Sequence, residues 1–214
     1  MYNDITAIIL SGGKSSRMGR NKSLLKIGDK TFVERVRDQM QQIFKDVALI
    51  TNTPAEYKFL DLPIHEDIYK HKGPLAGIHS GLLNSSTDTN FIISCDLPLI
   101  TNEMIEYLID FQTNKLITIA RADGYIQQLA GKYLRDCLVT AEEILKEQVN
   151  IENRNTEQRK RGCNVLRLID KIGAEIISAE SLPFYNEDLY FNVNKTEDYN
   201  LLLKKVMLAD KNHD

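Results

Sequence analysis

Three short runs that are apolar almost without interruption constrain this chain most: Thr6-Ala7-Ile8-Ile9-Leu10, Val47-Ala48-Leu49-Ile50 and Phe91-Ile92-Ile93-Ser94-Cys95. A strand that does not alternate polar and apolar residues is buried on both faces, as in a parallel sheet covered by helices. Stretches of helical period separate the runs. Phe32, Val33, Val36, Met40 and Ile43 recur at three- and four-residue spacing after Thr31, and Pro74 stands in the first turn of a predicted helix over Pro74–Asn84. Thr101 caps a further helix carrying Met104, Ile105, Leu108 and Ile109. Strands alternating with helices predict an α/β fold, a mostly parallel sheet flanked by helices. No internal repeat and no Gly-, Ser- or Pro-rich tract divides the 214 residues, so a single domain over 1–214 is expected.

The later chain is less regular. Leu116–Ala120 and Tyr125–Ala130 are predicted as strands, Tyr133–Lys146 as a helix and residues 147–162 as a polar, basic loop. Tyr199, Leu202, Leu203 and Val206 predict a helix over Thr196–Ala209. No apolar run approaches the ~20 residues that cross a bilayer, and no basic segment precedes the first one, so neither a membrane span nor a signal peptide is expected. With 27 Lys plus Arg against 30 Asp plus Glu, the formal charge is −3, which disfavours a dedicated nucleic-acid binder. Cys95, Cys137 and Cys163 are scattered, odd in number and without zinc-ligand spacing, so buried thiols of a reduced, cytoplasmic protein are expected.

Ligands of open parallel sheets bind beyond the carboxyl ends of the strands. Three polar segments fall there: 11–22, 51–52 and 96–98. The first reads Ser11-Gly12-Gly13-Lys14-Ser15-Ser16-Arg17-Met18-Gly19-Arg20-Asn21-Lys22. Glycines let backbone N–H groups converge on phosphate, and Arg17 and Lys22 add cations for the remaining charge. The segment is not the NTPase P-loop, because Ile8 stands where that loop needs its first glycine, and G-x-G-x-x-G has no match. Asp96 follows the third strand. A carboxylate there suits Mg²⁺, which takes oxygen ligands and few protein carboxylates; capping of a turn is the competing reading. His71 and His79 read as surface residues.

Four motifs carry a family resemblance. They are Leu10-Ser11-Gly12-Gly13 through Arg17-Met18-Gly19 and Lys22; His65-Glu66-Asp67 with Gly73-Pro74-Leu75-Ala76-Gly77-Ile78; Cys95-Asp96-Leu97-Pro98; and Phe191-Asn192-Val193-Asn194. In this order, over residues 10 to 194, the chain resembles the molybdenum cofactor guanylyltransferases of the nucleotidyltransferase superfamily. Gly12-Gly13 and the intact Gly-Pro-Leu-Ala-Gly segment lean toward the guanylyl branch over the similar cytidylyl branch. Gln127-Gln128-Leu129, where Gln-Pro-Leu is frequent, and Lys195, where Thr is common, depart from the pattern.

The resemblance implies a Rossmann-like fold of the nucleotide-diphospho-sugar transferase type. It implies Mg²⁺-dependent transfer of GMP from GTP to molybdopterin or the molybdenum cofactor, with release of pyrophosphate. The nucleophile belongs to the substrate, so catalysis rests on positioning two polyanions and on countering developing charge. By resemblance Arg17, Lys22 and Asp96 are the catalytic groups. Leu10, Ser11, Gly12, Gly13, Lys22, Asn52, Asp67 and Asp96 contact nucleotide, and Asp96 holds the metal. Thr51 is an alternative to Asn52, and Asp67 could instead be a solvated surface carboxylate. Asn192 and Asn194 would share one face of a strand and meet the pterin, or serve as turn residues. Arg154, Arg159, Lys160 and Arg161 read first as a solvated charge run and second as a clamp for the pterin substrate. Expected partners are GTP and molybdopterin, with transient contact to other cofactor-synthesis or acceptor enzymes. The rivals are a cytidylyl- or other nucleotidyltransferase and a non-catalytic nucleotide-binding protein.

Overall fold

The structure, a computed structural model, describes residues 1–12, 21–154 and 164–211, with side chains left undescribed at 152–154 and 207–211. Gly13, Arg17, Cys163, Arg159, Lys160 and Arg161 lie outside the described residues, as does the side chain of Arg154. Strands β1 (Tyr2–Leu10), β2 (Lys26–Ile27), β3 (Lys30–Thr31), β4 (Phe44–Ile50), β5 (Ile64–His65), β6 (Thr89–Ser94), β7 (Ile117–Ala122), β8 (Tyr125–Leu134) and β9 (Glu175–Ser178) interleave with six helices. These are α1 (Phe32–Ile43), α2 (Pro74–Asn84), α3 (Asn102–Asp110), α4 (Cys137–Arg154), α5 (Val165–Ile172) and α6 (Thr196–Lys211). Seven strands form one sheet in the order β5-β4-β1-β6-β8-β7-β9, while β2 and β3 make a small hairpin. Within the large sheet β8 runs antiparallel to both its neighbours, and the other described pairings are parallel.

The apolar runs are buried on both faces because successive residues feed different cores. Ala7 and Ile9 of β1 join Leu49, Phe91 and Ile93 in a cluster with α1 and α3. Ile8 and Leu10 join Ile50 and Ile92 against α2, α4 and α5. A capping box starts α1: the Thr31 hydroxyl accepts from the Glu34 amide at 3.3 Å and the Glu34 carboxylate accepts from the Thr31 amide at 2.8 Å. Thr101 Oγ1 accepts from the Met104 amide, also at 3.3 Å.

The structure corrects four expectations. Tyr133 and Leu134 belong to β8, and α4 begins only at Cys137. The apolar content of this stretch resembles a helix, but Gly131 and Tyr133 pair with Ile119 and Ile117 across the ladder, so tertiary pairing overrides local pattern. The helix then continues to Arg154, into the stretch expected as a loop, because Ile144, Leu145 and Gln148 keep one face buried. Strands β2, β3, β5 and β9 are additions that their short sequences did not signal. Finally, His79 is buried on α2 and not on the surface, whereas His71 is exposed, with a left-handed φ of 65°.

The His79 ring meets Tyr69 edge-on at 5.2 Å, and its Nδ1 has no hydrogen-bond partner among the described residues. Burial holds its pKa below the usual value; the nearby charge of Glu142 acts the other way and that of Lys146 reinforces the fall. The unfolded chain therefore binds a proton here that the folded chain resists. Stability is full above pH ~6.5 and declines as pH falls through the window below it. The parent should show a larger drop in Tm between pH 7.5 and 5.5 than His79→Phe; equal drops would place the acid sensitivity elsewhere.

Candidate nucleotide site at the carboxyl ends of the strands

The ladder continues one residue beyond the central strands. The Ser11 amide donates to Ile50 O at 3.0 Å, that of Cys95 to Leu10 O at 3.2 Å, and that of Thr51 to His65 O at 3.0 Å. Ser11, Thr51 and Cys95 are therefore neighbours on one rim. The next residues, Gly12, Asn52 and Asp96, leave the sheet together with Asp67 two positions beyond β5. Parallel register is what brings three distant polar segments to one edge.

On one side of the rim, Asn52 Nδ2 donates to Asp67 Oδ2 at 2.7 Å. An ionised carboxylate only accepts, so the amide must point its nitrogen at Asp67 and its oxygen away. That oxygen is buried without a hydrogen-bond partner among the described residues. Burial is the main cause that raises the Asp67 pKa, and the Asn52 hydrogen bond opposes it. Thr51, the alternative to Asn52, is buried and takes up its hydroxyl locally, accepting from the Thr53 amide at 3.3 Å. The start of α2 closes this side. Gly73 caps it with φ 72°, Pro74 occupies the first turn, and Gly77 packs closely on Leu10. A Cβ at Gly77 would stand 3.2 Å from Leu10 Cδ2 and 3.7 Å from Asp67 Oδ1.

On the other side, Lys22 sits in a 3₁₀ turn over Lys22–Leu24 that Asn21 caps through its side chain. Its Nζ donates to Asn194 Oδ1 at 3.1 Å. Phe191-Asn192-Val193-Asn194 is not a strand, contrary to expectation: no ladder partner exists there among the described residues, and Val193 is instead buried against Ile27, Phe32 and Leu202. Both asparagines are exposed, while Val193 between them is buried. Cys95 and Cys137 are buried thiols as expected; burial, with Asp96 second, pushes Cys95 up to about 12.

Asp96 is half-buried, and one of its oxygens accepts from Ser94 Oγ. Asp96 Oδ2 has no protein partner among the described residues. The donor set is thus one carboxylate, with no group of three His, Cys, Asp or Glu nearby among the described residues. That set fits a magnesium ion completed by water and substrate phosphate, not a closed site of protein ligands.

Asn21 and Tyr57 also belong to this rim, and nothing in the sequence marked them. Tyr57 lies in a 3₁₀ turn over Pro54–Leu60, after β4, and its hydroxyl bonds to Ser11, Asn21 and Ser23. Only the fold brings a residue 46 positions away onto Ser11.

A family model described as a MobA-like NTP transferase domain matches residues 7–159, most of the chain. The chain belongs to that family. A protein of Carboxydothermus hydrogenoformans, named "Probable molybdenum cofactor guanylyltransferase", is 32% identical over 209 residues, which are 97% of this chain and 99% of the relative. One of Clostridium perfringens with the same name is 31% identical over 207 residues, 94% of this chain and 96% of the relative. Among solved structures, molybdopterin-guanine dinucleotide biosynthesis protein A of Archaeoglobus fulgidus matches with a TM-score of 0.77 at 18% identity, covering 94% of this chain and 98% of that one. The 4-diphosphocytidyl-2C-methyl-D-erythritol synthase of Anaerococcus prevotii matches with a TM-score of 0.65 at 12% identity, covering 95% and 96%. The two structures bear on the fold, a mostly parallel sheet of nucleotidyltransferase type. No helix among the described residues is long and apolar enough to cross a membrane.

Proposed function

We propose that this nucleotidyltransferase moves GMP from GTP to molybdopterin or the molybdenum cofactor and releases pyrophosphate. The observation that carries the reading is the Asn52–Asp67 pair beside Leu10 and Gly77. Orienting the amide nitrogen toward Asp67 leaves the buried Asn52 oxygen without a donor among the described residues, and the Asp67 carboxylate offers a second acceptor. Guanine presents two adjacent donors, N1–H and its amino group. Cytosine presents one amino group beside an acceptor nitrogen, which would leave a buried acceptor unpaired. One such mismatch costs ~1–3 kcal/mol. The relatives' names support the same choice of base.

The acceptor's terminal phosphate attacks the α-phosphorus of GTP, a P–O bond forms there, and the bond to the β-phosphate oxygen breaks. No protein nucleophile is required. Gly12, with Gly13 beyond it, would offer backbone N–H groups to phosphate, and Lys22 and Arg17 would counter the triphosphate charge. Asp96 is assigned the metal. Bound there, Mg²⁺ would supply positive charge to the phosphate oxygens. Asn194, which accepts from Lys22, and Asn192 would receive the pterin substrate.

The test is kcat/KM for GTP, CTP and ATP with molybdopterin and Mg²⁺, with identification of the dinucleotide formed. GTP should be preferred by at least about tenfold, the ratio that one unpaired buried acceptor supplies. Gly77→Val should erode that preference, because its side chain would displace Leu10 and Asp67. A parent that favours CTP overturns the guanylyl assignment, whereas no pyrophosphate release with any nucleotide overturns catalysis itself.

A further inference from the structure

We infer that Tyr57 is a positioning residue for nucleotide binding, tying the residue that enters the glycine-rich segment to the residues that leave it. The inference rests on the nucleotide-site reading above. The Tyr57 ring lies in the core, and its oxygen is 2.8 Å from Ser11 Oγ, 2.7 Å from Asn21 Nδ2 and 2.7 Å from Ser23 Oγ. These partners are 46, 36 and 34 residues away in sequence.

The protons can be assigned one by one. A phenol has one proton to give and two lone pairs. Asn21 Nδ2 can only donate, and Ser11 donates, so both lone pairs are taken. The Tyr57 proton therefore goes to Ser23 Oγ, whose own proton goes to Asn21 Oδ1 at 2.8 Å. The second Asn21 amide hydrogen goes to Glu56 Oε2 at 2.8 Å, and Ser11 Oγ in turn lies 3.7 Å from Cys95 Sγ. Each proton has one acceptor, so the network has one direction and one geometry. Removing its central oxygen leaves three polar groups short of a partner in a largely buried setting.

The consequence for the site follows from what the network joins. Ser11 is fixed to the end of β1 and precedes Gly12. Asn21 caps the turn that begins with Lys22. Cys95, at the edge of the network, precedes Asp96. One phenol oxygen thus sets the Lys22 turn against the strand ends carrying Gly12 and Asp96. Among the described residues the hydroxyl touches Ser11, Asn21 and Ser23, and it acts through these neighbours.

Tyr57→Phe keeps the ring in the core and removes only the oxygen. Its melting temperature should stay within a few degrees of the parent. KM for GTP should rise about tenfold, equivalent to ~1.4 kcal/mol, with kcat falling less than about threefold. Ser23→Ala should shift KM in the same direction, and the double variant should be little worse than Tyr57→Phe alone, as expected for members of one network. Amide exchange supplies a readout independent of nucleotide. The Leu24 and Leu25 amides, which bond to Asn21 O at 3.2 Å and Lys22 O at 3.0 Å, should exchange faster in the variant while β6 and β8 are unchanged. An unchanged KM with unchanged exchange at Leu24 and Leu25 overturns the proposal. So does a general loss of protection and Tm with KM unaltered, the mark of a merely structural tyrosine. If the parent uses no GTP, the functional reading fails, and local exchange alone then decides whether Tyr57 holds the Lys22 turn.

Discussion

Asp96→Ala should lower turnover by at least two to three orders of magnitude at saturating Mg²⁺ while leaving the melting temperature close to that of the parent. The size follows from the kind of catalysis proposed. Where the protein supplies no nucleophile, rate enhancement rests on placed charge, and removing one such contact commonly costs roughly 10²–10³ in kcat. Asp96 is the carboxylate to which the metal is assigned, so its loss should reach the upper end of that range or exceed it. The fold should tolerate the change because Asp96 is half-buried at a strand end and its one described protein contact is to Ser94 in the same segment. Pyrophosphate release, measured with GTP and molybdopterin across a Mg²⁺ titration, reads the effect. Activity within a few-fold of the parent would remove Asp96 from the metal site. A variant rescued by raised Mg²⁺ would show a weakened site rather than an absent one.

Gly131→Ala should be among the most destabilising small substitutions in the chain, though it lies away from the proposed chemistry. Gly131 sits inside β8, paired with Ile92 on one side and Ile119 on the other. A Cβ there would fall 2.5 Å from the Thr118 carbonyl oxygen and 2.5 Å from Ile119 Cγ2. The side chain could shift, but the carbonyl belongs to the backbone of β7, so the β7–β8 pair would have to spread. Overpacking typically costs 1–3 kcal/mol and occasionally more. A cost of ~3 kcal/mol corresponds to a fall in Tm of roughly 10 °C for a domain of this size. Thermal unfolding by circular dichroism tests this. A fall under about 3 °C would mean that the two strands separate more readily than the close approach indicates.

These two positions differ in how they can be read from sequence. Asp96 is a candidate that the sequence offers, because a buried-type strand followed by a carboxylate and a proline turn is a local signal. Gly131 is not, since its requirement comes from β7 across the ladder. The same division holds for the elements. The three apolar runs announced β1, β4 and β6, since burial on both faces writes itself into consecutive residues. The β8–α4 boundary was misplaced because Tyr133 and Cys137 are both fully buried, and burial alone does not tell a strand from a helix. His79 reads as a surface residue because nothing in Gly77-Ile78-His79-Ser80 signals that a polar ring faces Tyr69.

The sequence by itself determined the fold class, the family resemblance and the polar segments that meet at the strand ends, because each is written in contiguous residues or in their spacing. Tertiary structure decided which atoms in those segments find one another. Resemblance puts Asn52 ahead of Thr51, but only the fold turns its amide toward Asp67, and only packing of the C-terminal segment links Lys22 to Asn194 across 172 residues. The Tyr57 network is the extreme case. Hydrogen bonds need distances near 3 Å and defined angles, and a chain fixes such geometry between remote residues only after its two cores have closed around the sheet.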